Sequence, residues 1–271
     1  MATVSALTYY PIKGCAGVTV DRAEVVRTGL LHDRAFVIGR PDGTFLSQRQ
    51  VARLAVIRAQ VLHGGSKLAL SAPGADDVML GVDTDGPLVP VTVHREELAG
   101  IDQGDDAAGW LSEVIGQPVR LFRAPQAWDR EGSGDEPGRI QFADSTALLV
   151  TSLSSLDELN ARILEKGADP VPMNRFRPNI VITGWPRPHT EDRVRRATVG
   201  SVRIGYGKRD IRCVVTTVDQ LLGERAGHEP LRTLADYRRE PEGGVSFGMK
   251  AAVLEPGMIF VGDEIDVTEW L

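Results

Sequence analysis

The sequence predicts a mainly β fold with some α, an α+β chain laid out as two β-barrel domains in series. Three observations point there. Between residues 44 and 93 short strand-like runs alternate with Gly, Pro and Asp, the rhythm of a small barrel or sandwich. Helical periodicity is confined to a few stretches, among them 105–115 and the run after Ser154. Residues 125–138 (PQAWDREGSGDEPG) are rich in Gly, Pro, Asp and Glu and read as a linker or mobile loop, dividing the chain into domains at 1–124 and 139–271.

Taken in order, residues 3–10 (TVSALTYY) alternate as a strand ending at Pro11, which cannot continue a central ladder. Lys13 and Gly14 follow in a turn. Residues 18–26 alternate as a strand, and 28–31 turn the chain into another strand over 32–38. Pro41-Asp42-Gly43 marks a hairpin turn, with 44–48 opening the return strand. Strands are expected at 56–62, 67–71, 77–80 and 88–93. A helix follows at 105–115, whose Trp110, Leu111, Val114 and Ile115 form a core-facing stripe.

The second half opens with an apolar strand over 147–152. Ser154-Ser155, followed three residues on by an acid and then by Leu156, Leu159, Ile163 and Leu164, is a helix-start signature; Gly167 ends that helix. Further strands are expected at 180–183 and 199–206, with a β-branched run at 214–218 reading as one more. A helical turn at 231–237, a glycine-rich loop at 240–246 and closing strands around 259–265 complete the second barrel.

With 271 residues, 42% hydrophobic and 25% charged, the chain has ample material for a buried core. A formal net charge of −6 argues against a general nucleic-acid binder, so an anionic ligand would need local cations. Lys13, Arg34, Arg175, Arg177, Arg209 and Arg212 supply them. Two cysteines are too few for an iron–sulfur cluster or a structural zinc site. The N-terminus lacks a signal-peptide pattern and no apolar stretch of about 18 residues occurs, so a cytoplasmic protein without membrane association is expected.

The stretch from Arg209 to Asp219 sets Cys213 among cations and hydroxyls. Flanking guanidinium groups favour a thiolate, which is both a soft metal ligand and a nucleophile; the bland alternative is a small buried hydrophobe. Lys13 beside Gly14 can meet a phosphate, or can be an exposed turn lysine. Asp33 and Arg34 can be a plain surface ion pair. Thr151 and Ser152, delivered by a strand to a helix N-terminus, make an anion pocket or an ordinary cap. Arg177 and Asn179 flank a proline in a rigid turn, where Asn179 can also serve only the loop backbone.

The string RCVVTTVD resembles the segment of MOSC-domain proteins that carries the cysteine ligand of molybdenum in molybdenum cofactor. YYPIKGCAGV, LLHDRAF, NRFRPNIVI and EPGMIFVGDEI resemble the same family, in the right order, and together they span almost the whole chain. The layout is similar to that of the mitochondrial amidoxime-reducing component and its bacterial relatives. The resemblance implies a MOSC N-terminal β-barrel domain followed by a MOSC domain, with molybdopterin between them. It implies that Lys13, Arg34 and Arg177 hold the phosphate, that Asn179, Arg212 and the Thr151–Ser152 junction line the cofactor, and that Cys213 ligates molybdenum. The family usually has serine where this chain has Gly14, leaving a backbone amide for that contact, and often an aromatic where it has Lys250 near the metal.

The implied reaction is two-electron reduction of a small N-oxygenated substrate such as a hydroxylamine, amidoxime or N-hydroxylated base, with water as co-product. Asp210 or Asp219 would relay protons, unless each only caps a turn. Some bacterial relatives carry a ferredoxin-like domain after the MOSC domain; this chain ends at Leu271 without one, so a separate haem or iron–sulfur electron-donor protein is expected. Two alternatives stay open: a module in which Cys213 carries persulfide, and a carrier that binds molybdenum cofactor without turnover.

Overall fold

A computed structural model describes residues 1–271. Its backbone is organised by two long antiparallel strands, Val202–Arg212 and Val245–Glu255, which pair along most of their length with register shifts that bend them. They lie inside an eight-stranded sheet whose spatial order runs Ile265–Trp270, Val194–Val199, Val202–Arg212, Val245–Glu255, Leu148–Ser152, Ile180–Thr183, Thr3–Tyr9, Val18–Val20. Alternation along these strands sends Val202, Ile204, Met249, Ala251 and Val253 into one core with Leu7, Val150 and Ile182. Burying each of the larger side chains contributes about 1.5–3 kcal/mol.

The second body is a five-stranded sheet, Leu88–Val93, Glu96–Asp102, Arg120–Arg123, Phe36–Gly39 and Ile12–Lys13, accompanied by a three-stranded sheet of Arg58–Leu62, Lys67–Ser71 and Val78–Gly81. Helix α1, Gly104–Ile115, closes it with Ala107, Leu111 and Val114 against Ile12, Ile38, Leu54 and Leu121. Helices α2, Leu153–Glu165, and α3, Leu231–Tyr237, form a smaller core around Phe176 and Phe247, whose rings stack at 3.9 Å. The mainly β architecture with a few helices is thus what the strand rhythm implied. One pairing crosses the expected boundary: Thr3–Tyr9 sits between Ile180–Thr183 and Val18–Val20, so the opening strand belongs to the larger sheet.

Several local expectations are corrected. Of the run at 214–218 only Val218 is in a strand, Val218–Asp219; Val214–Thr217 is a 3-10 turn, because the Thr216 and Thr217 hydroxyls donate back to the Cys213 and Val214 carbonyls at 2.9 and 2.8 Å. The strand expected over 32–38 begins only at Phe36. Before it, His32 and Arg34 adopt left-handed backbone angles (φ 67° and 49°), and the Arg34 N–H donates to the Tyr10 carbonyl at 2.6 Å. The return strand at 44–48 is reduced to single bridges at Thr44 and Phe45, since Ser47 turns into a hydrogen bond with the Gln50 amide.

The strand over 18–26 is split at Asp21. The helix cap lies at Ser152 rather than at Ser154-Ser155: the Ser152 hydroxyl accepts from the Ser155 N–H. Strands Glu96–Asp102 and Arg120–Arg123 were not foreseen, their charged residues masking the alternation. Residues 125–138 form no regular element beyond one bridge, yet they are laced to the sheets: Arg130 donates to the Gln141 and Ala143 carbonyls at 2.6 and 2.8 Å, and Asp135 N–H to the Gly207 carbonyl at 2.8 Å.

Candidate active site

The strand Val202–Arg212 ends where the Val214–Thr217 turn begins, and Cys213 is the extended residue at that joint (φ −124°). A hinge between strand and turn leaves its thiol half-buried, facing a cavity of about 210 Å³ between the two bodies. Cys15, by contrast, is sealed in the core that helix α1 closes, and burial pushes its thiol up to about 12. Only Cys213 is placed for chemistry.

The end of this strand, bent by a register shift between Arg209 and Ile211, brings Asp210, Ile211 and Arg212 to the cavity, with Ile211 exposed and the two charged side chains largely buried. The Asp210 carboxylate is held by Arg212 and by Lys250, the latter at 3.0 Å from the neighbouring long strand. Lys250 also donates to the Ser145 hydroxyl at 2.9 Å. Arg212 donates to the Phe176 carbonyl at 2.8 Å and keeps an unpartnered Nε. Burial lowers the Arg212 guanidinium to about 10.

Arg34 and Arg177 arrive from separate turns, both with left-handed backbone (φ 49° and 58°). Such angles cost a non-glycine residue on the order of 1 kcal/mol or more and persist where the surroundings enforce them. Here the enforcement is visible. Both guanidinium groups lie over the buried Tyr10 ring, at 4.4 and 4.3 Å from its centroid. Arg34 pairs with Asp33 and donates to Asn179 Oδ1 at 2.9 Å; Arg177 donates to Gln220 Oε1 at 3.1 Å. Burial lowers Arg177, and burial with the nearby Arg34 and Lys250 charges lowers Lys13 despite its ion pair with Asp144.

The cavity therefore gathers Lys13, Gly14, Arg34, Arg177, Asn179, Asp210, Arg212, Cys213 and Lys250 from those expected. It does not gather Thr151, Ser152 or Asp219. A strand rises about 3.3 Å per residue, and the cavity touches the start of Leu148–Ser152, not its end. Thr151 and Ser152 are wholly buried, with Ser152 Oγ donating to the Glu191 carboxylate at 2.8 Å. Asp219 pairs with Arg175 at 3.4 Å and accepts from the Leu221 and Leu222 N–H groups, the turn-capping role.

Residues that sequence reasoning passed over take those places: Asp144, Ser145 and Thr146 before the strand, and Ser47, Gln48, Arg49 and His94 from the body built on the five-stranded sheet. The polar triplet Asp144-Ser145-Thr146 interrupting an apolar approach was the one readable signal. Arg49 is exposed at the cavity, and the Cys213 side chain is the main influence raising its guanidinium above the ordinary value.

Six lysine and arginine side chains line this cavity against two carboxylates, Asp144 and Asp210. That surplus fits an anion. No group of three or more His, Cys, Asp or Glu side chains is arranged to hold a metal ion, so a metal at Cys213 would have to bring its other ligands with it. A metal-bearing, phosphate-tailed cofactor meets both conditions.

Comparison with known proteins bears on this arrangement. The MOSC N-terminal beta barrel domain matches residues 1–118, and the MOSC domain matches residues 137–266. Mitochondrial amidoxime-reducing component 1 of Homo sapiens is 33% identical over 98% of this chain and 82% of that protein. The Mus musculus protein of the same name is 32% identical over the same shares. Molybdenum cofactor sulfurase of Solanum lycopersicum is 28% identical over 91% of this chain and 32% of that protein.

Proposed function

We propose, from the premise that this chain belongs to the MOSC-domain family that includes the mitochondrial amidoxime-reducing components, that it is a molybdenum cofactor-dependent reductase of N-oxygenated compounds served by a separate electron donor. The observation that carries the reading is the half-open Cys213 thiol in a cavity with a surplus of buried positive charge. Lys13, Arg34 and Arg177 would hold the phosphate of the cofactor, Gly14 would offer a backbone amide, and Cys213 would ligate molybdenum. When bound, the cofactor supplies two-electron redox chemistry.

The chain's own groups do the rest. Asn179 spends its side chain on the protein, fixing Arg34 rather than touching a ligand. Lys250 and Arg212 clamp Asp210, so that carboxylate positions cations and is engaged at both oxygens. Arg49 and His94, from the body built on the five-stranded sheet, face the thiol's cavity and are available to a substrate. No helix is long and apolar enough to cross a membrane.

Protein made in a cofactor-competent host is expected to contain about one molybdenum per chain, lost in Cys213→Ala, and to reduce a hydroxylamine or amidoxime with a reduced donor. Labile sulfur on Cys213 without molybdenum would favour the persulfide carrier. Bound molybdenum without turnover would favour the cofactor carrier.

A further inference from the structure

A second cavity, of about 290 Å³, adjoins the first and is lined by Val93, His94, Arg95, Glu96, Arg130 and Asp144. His94 and Asp144 line both. They form the partition: His94 Nε2 is 3.1 Å from Asp144 Oδ1, and Asp144 is also paired with Lys13. His94 sits in the tight turn between Leu88–Val93 and Glu96–Asp102 with left-handed backbone (φ 58°), its ring set edge-on against Phe45 at 5.6 Å. The imidazole is thus fixed between two cavities and is 40% exposed.

We propose that His94, held by Asp144, is the proton relay of this site, taking protons in the outer cavity and delivering them in the inner one. The inference rests on the reductase reading above. Reduction of an N-hydroxylated substrate breaks one N–O bond and forms one N–H and one O–H bond: R–NHOH + 2 H⁺ + 2 e⁻ gives R–NH₂ + H₂O. The two electrons are supplied by the external reduced haem or iron–sulfur protein that the reductase reading requires. The protons need a group that can both accept and donate one at the site, and the His94 ring is the side chain that faces both cavities with a carboxylate holding its Nε2. The imidazolium gives its proton to the leaving hydroxyl, directly or through cavity water, and regains one from the outer cavity.

The two aspartates named from sequence are less suited. Asp219 is outside the cavity, and Asp210 is tied at both oxygens. Asp144 is not itself the acid. Its side chain is 55% exposed, and although the crowded protein around it works to raise the carboxyl, Lys13, His94 and Lys250 outweigh that and hold the group below the usual carboxylate range. A carboxylate that stays anionic orients the imidazole and balances its charge, as a positioning residue. Around the pair stand Lys13 and Lys250 on the inner side and Arg95, Glu96 and Arg130 on the outer side, with Arg130 paired to Glu96.

The test uses holoenzyme, reduced methyl viologen as electron source and hydroxylamine as probe substrate. His94→Asn keeps the left-handed turn, which asparagine tolerates. It is expected to lower kcat about 100-fold near pH 7 with molybdenum content unchanged, and to regain activity when imidazole is added. Asp144→Asn is expected to change the pH profile of kcat. In cofactor-free protein it should move the His94 Nε2 resonance in nitrogen-15 NMR. A kcat within about twofold of wild type in His94→Asn, a loss that imidazole does not relieve, or an unmoved His94 resonance overturns the relay. Wild-type holoenzyme that does not reduce hydroxylamine or an amidoxime at all overturns the reductase reading, and the relay with it.

Discussion

Asn179 has no polar atom to spare: its Oδ1 accepts from Arg34 and the Leu149 N–H, and its Nδ2 donates to Asp33 and the Thr8 carbonyl. Asn179→Ala strands several buried partners at once, so it is expected to cost about 2–4 kcal/mol, read as a fall in urea midpoint. His189 presents the opposite case. Both ring nitrogens lack partners, and burial, together with Arg238, Arg162 and Arg209, lowers its pKa to about 3. The unfolded chain then binds a proton that the folded chain refuses. Stability attributable to this ring is present above about pH 6.5 and drains away as pH falls toward 3. Urea unfolding at about pH 7.5 and about pH 5 should show a smaller acid loss in His189→Gln. At this scale, resemblance named Lys13, Arg34, Arg177, Arg212 and Cys213, all of which meet in the cavity. It missed Asp144, His94 and Arg49, whose meaning comes from partners far away in sequence and not from neighbours.

Elements explain where the reading of the chain slipped. Valine and threonine favour strands, but hydroxyls that bond back three residues convert 214–217 into a turn, and that turn aims the thiol. Thr216→Val keeps the shape and the backbone N–H bond to the Cys213 carbonyl but removes the hydroxyl's bond to it. It is expected to cost about 1 kcal/mol and to lower molybdenum content, measured by metal analysis. The strand Val245–Glu255 carries Gly248 at φ 85°, where an added Cβ would lie 2.8 Å from Thr151 Cγ2 and 3.0 Å from the Val150 carbonyl oxygen. Gly248→Ala is expected to destabilise by about 1–3 kcal/mol, visible as a lower melting temperature. Strand rhythm was readable where apolar residues alternated with others, as at Lys67–Ser71, or were rich in valine between turn residues, as at Leu88–Val93. At Glu96–Asp102 cross-strand pairing with Leu88–Val93 overrides a locally unpromising sequence.

At the scale of the molecule, the cavity exists because two bodies are held face to face by polar side chains. Gln48 and Gln220 exchange amide hydrogen bonds at 3.1 and 3.0 Å across 172 residues of sequence, and Arg177 joins them. A double-mutant cycle with Gln48→Ala and Gln220→Ala should give a coupling of about 1 kcal/mol in denaturant unfolding; additive losses would mean the pair is ornamental. Such pairs leave no mark on local sequence, which is why the two-part layout could be read while the cleft between the parts could not. The same interleaving governs how the chain comes into being. Thr3–Tyr9 is translated long before its partner Ile180–Thr183. A nascent chain halted at residue 124 would carry an orphan edge on Thr3–Tyr9, and folding of the larger body waits until the distant partner strand has been made.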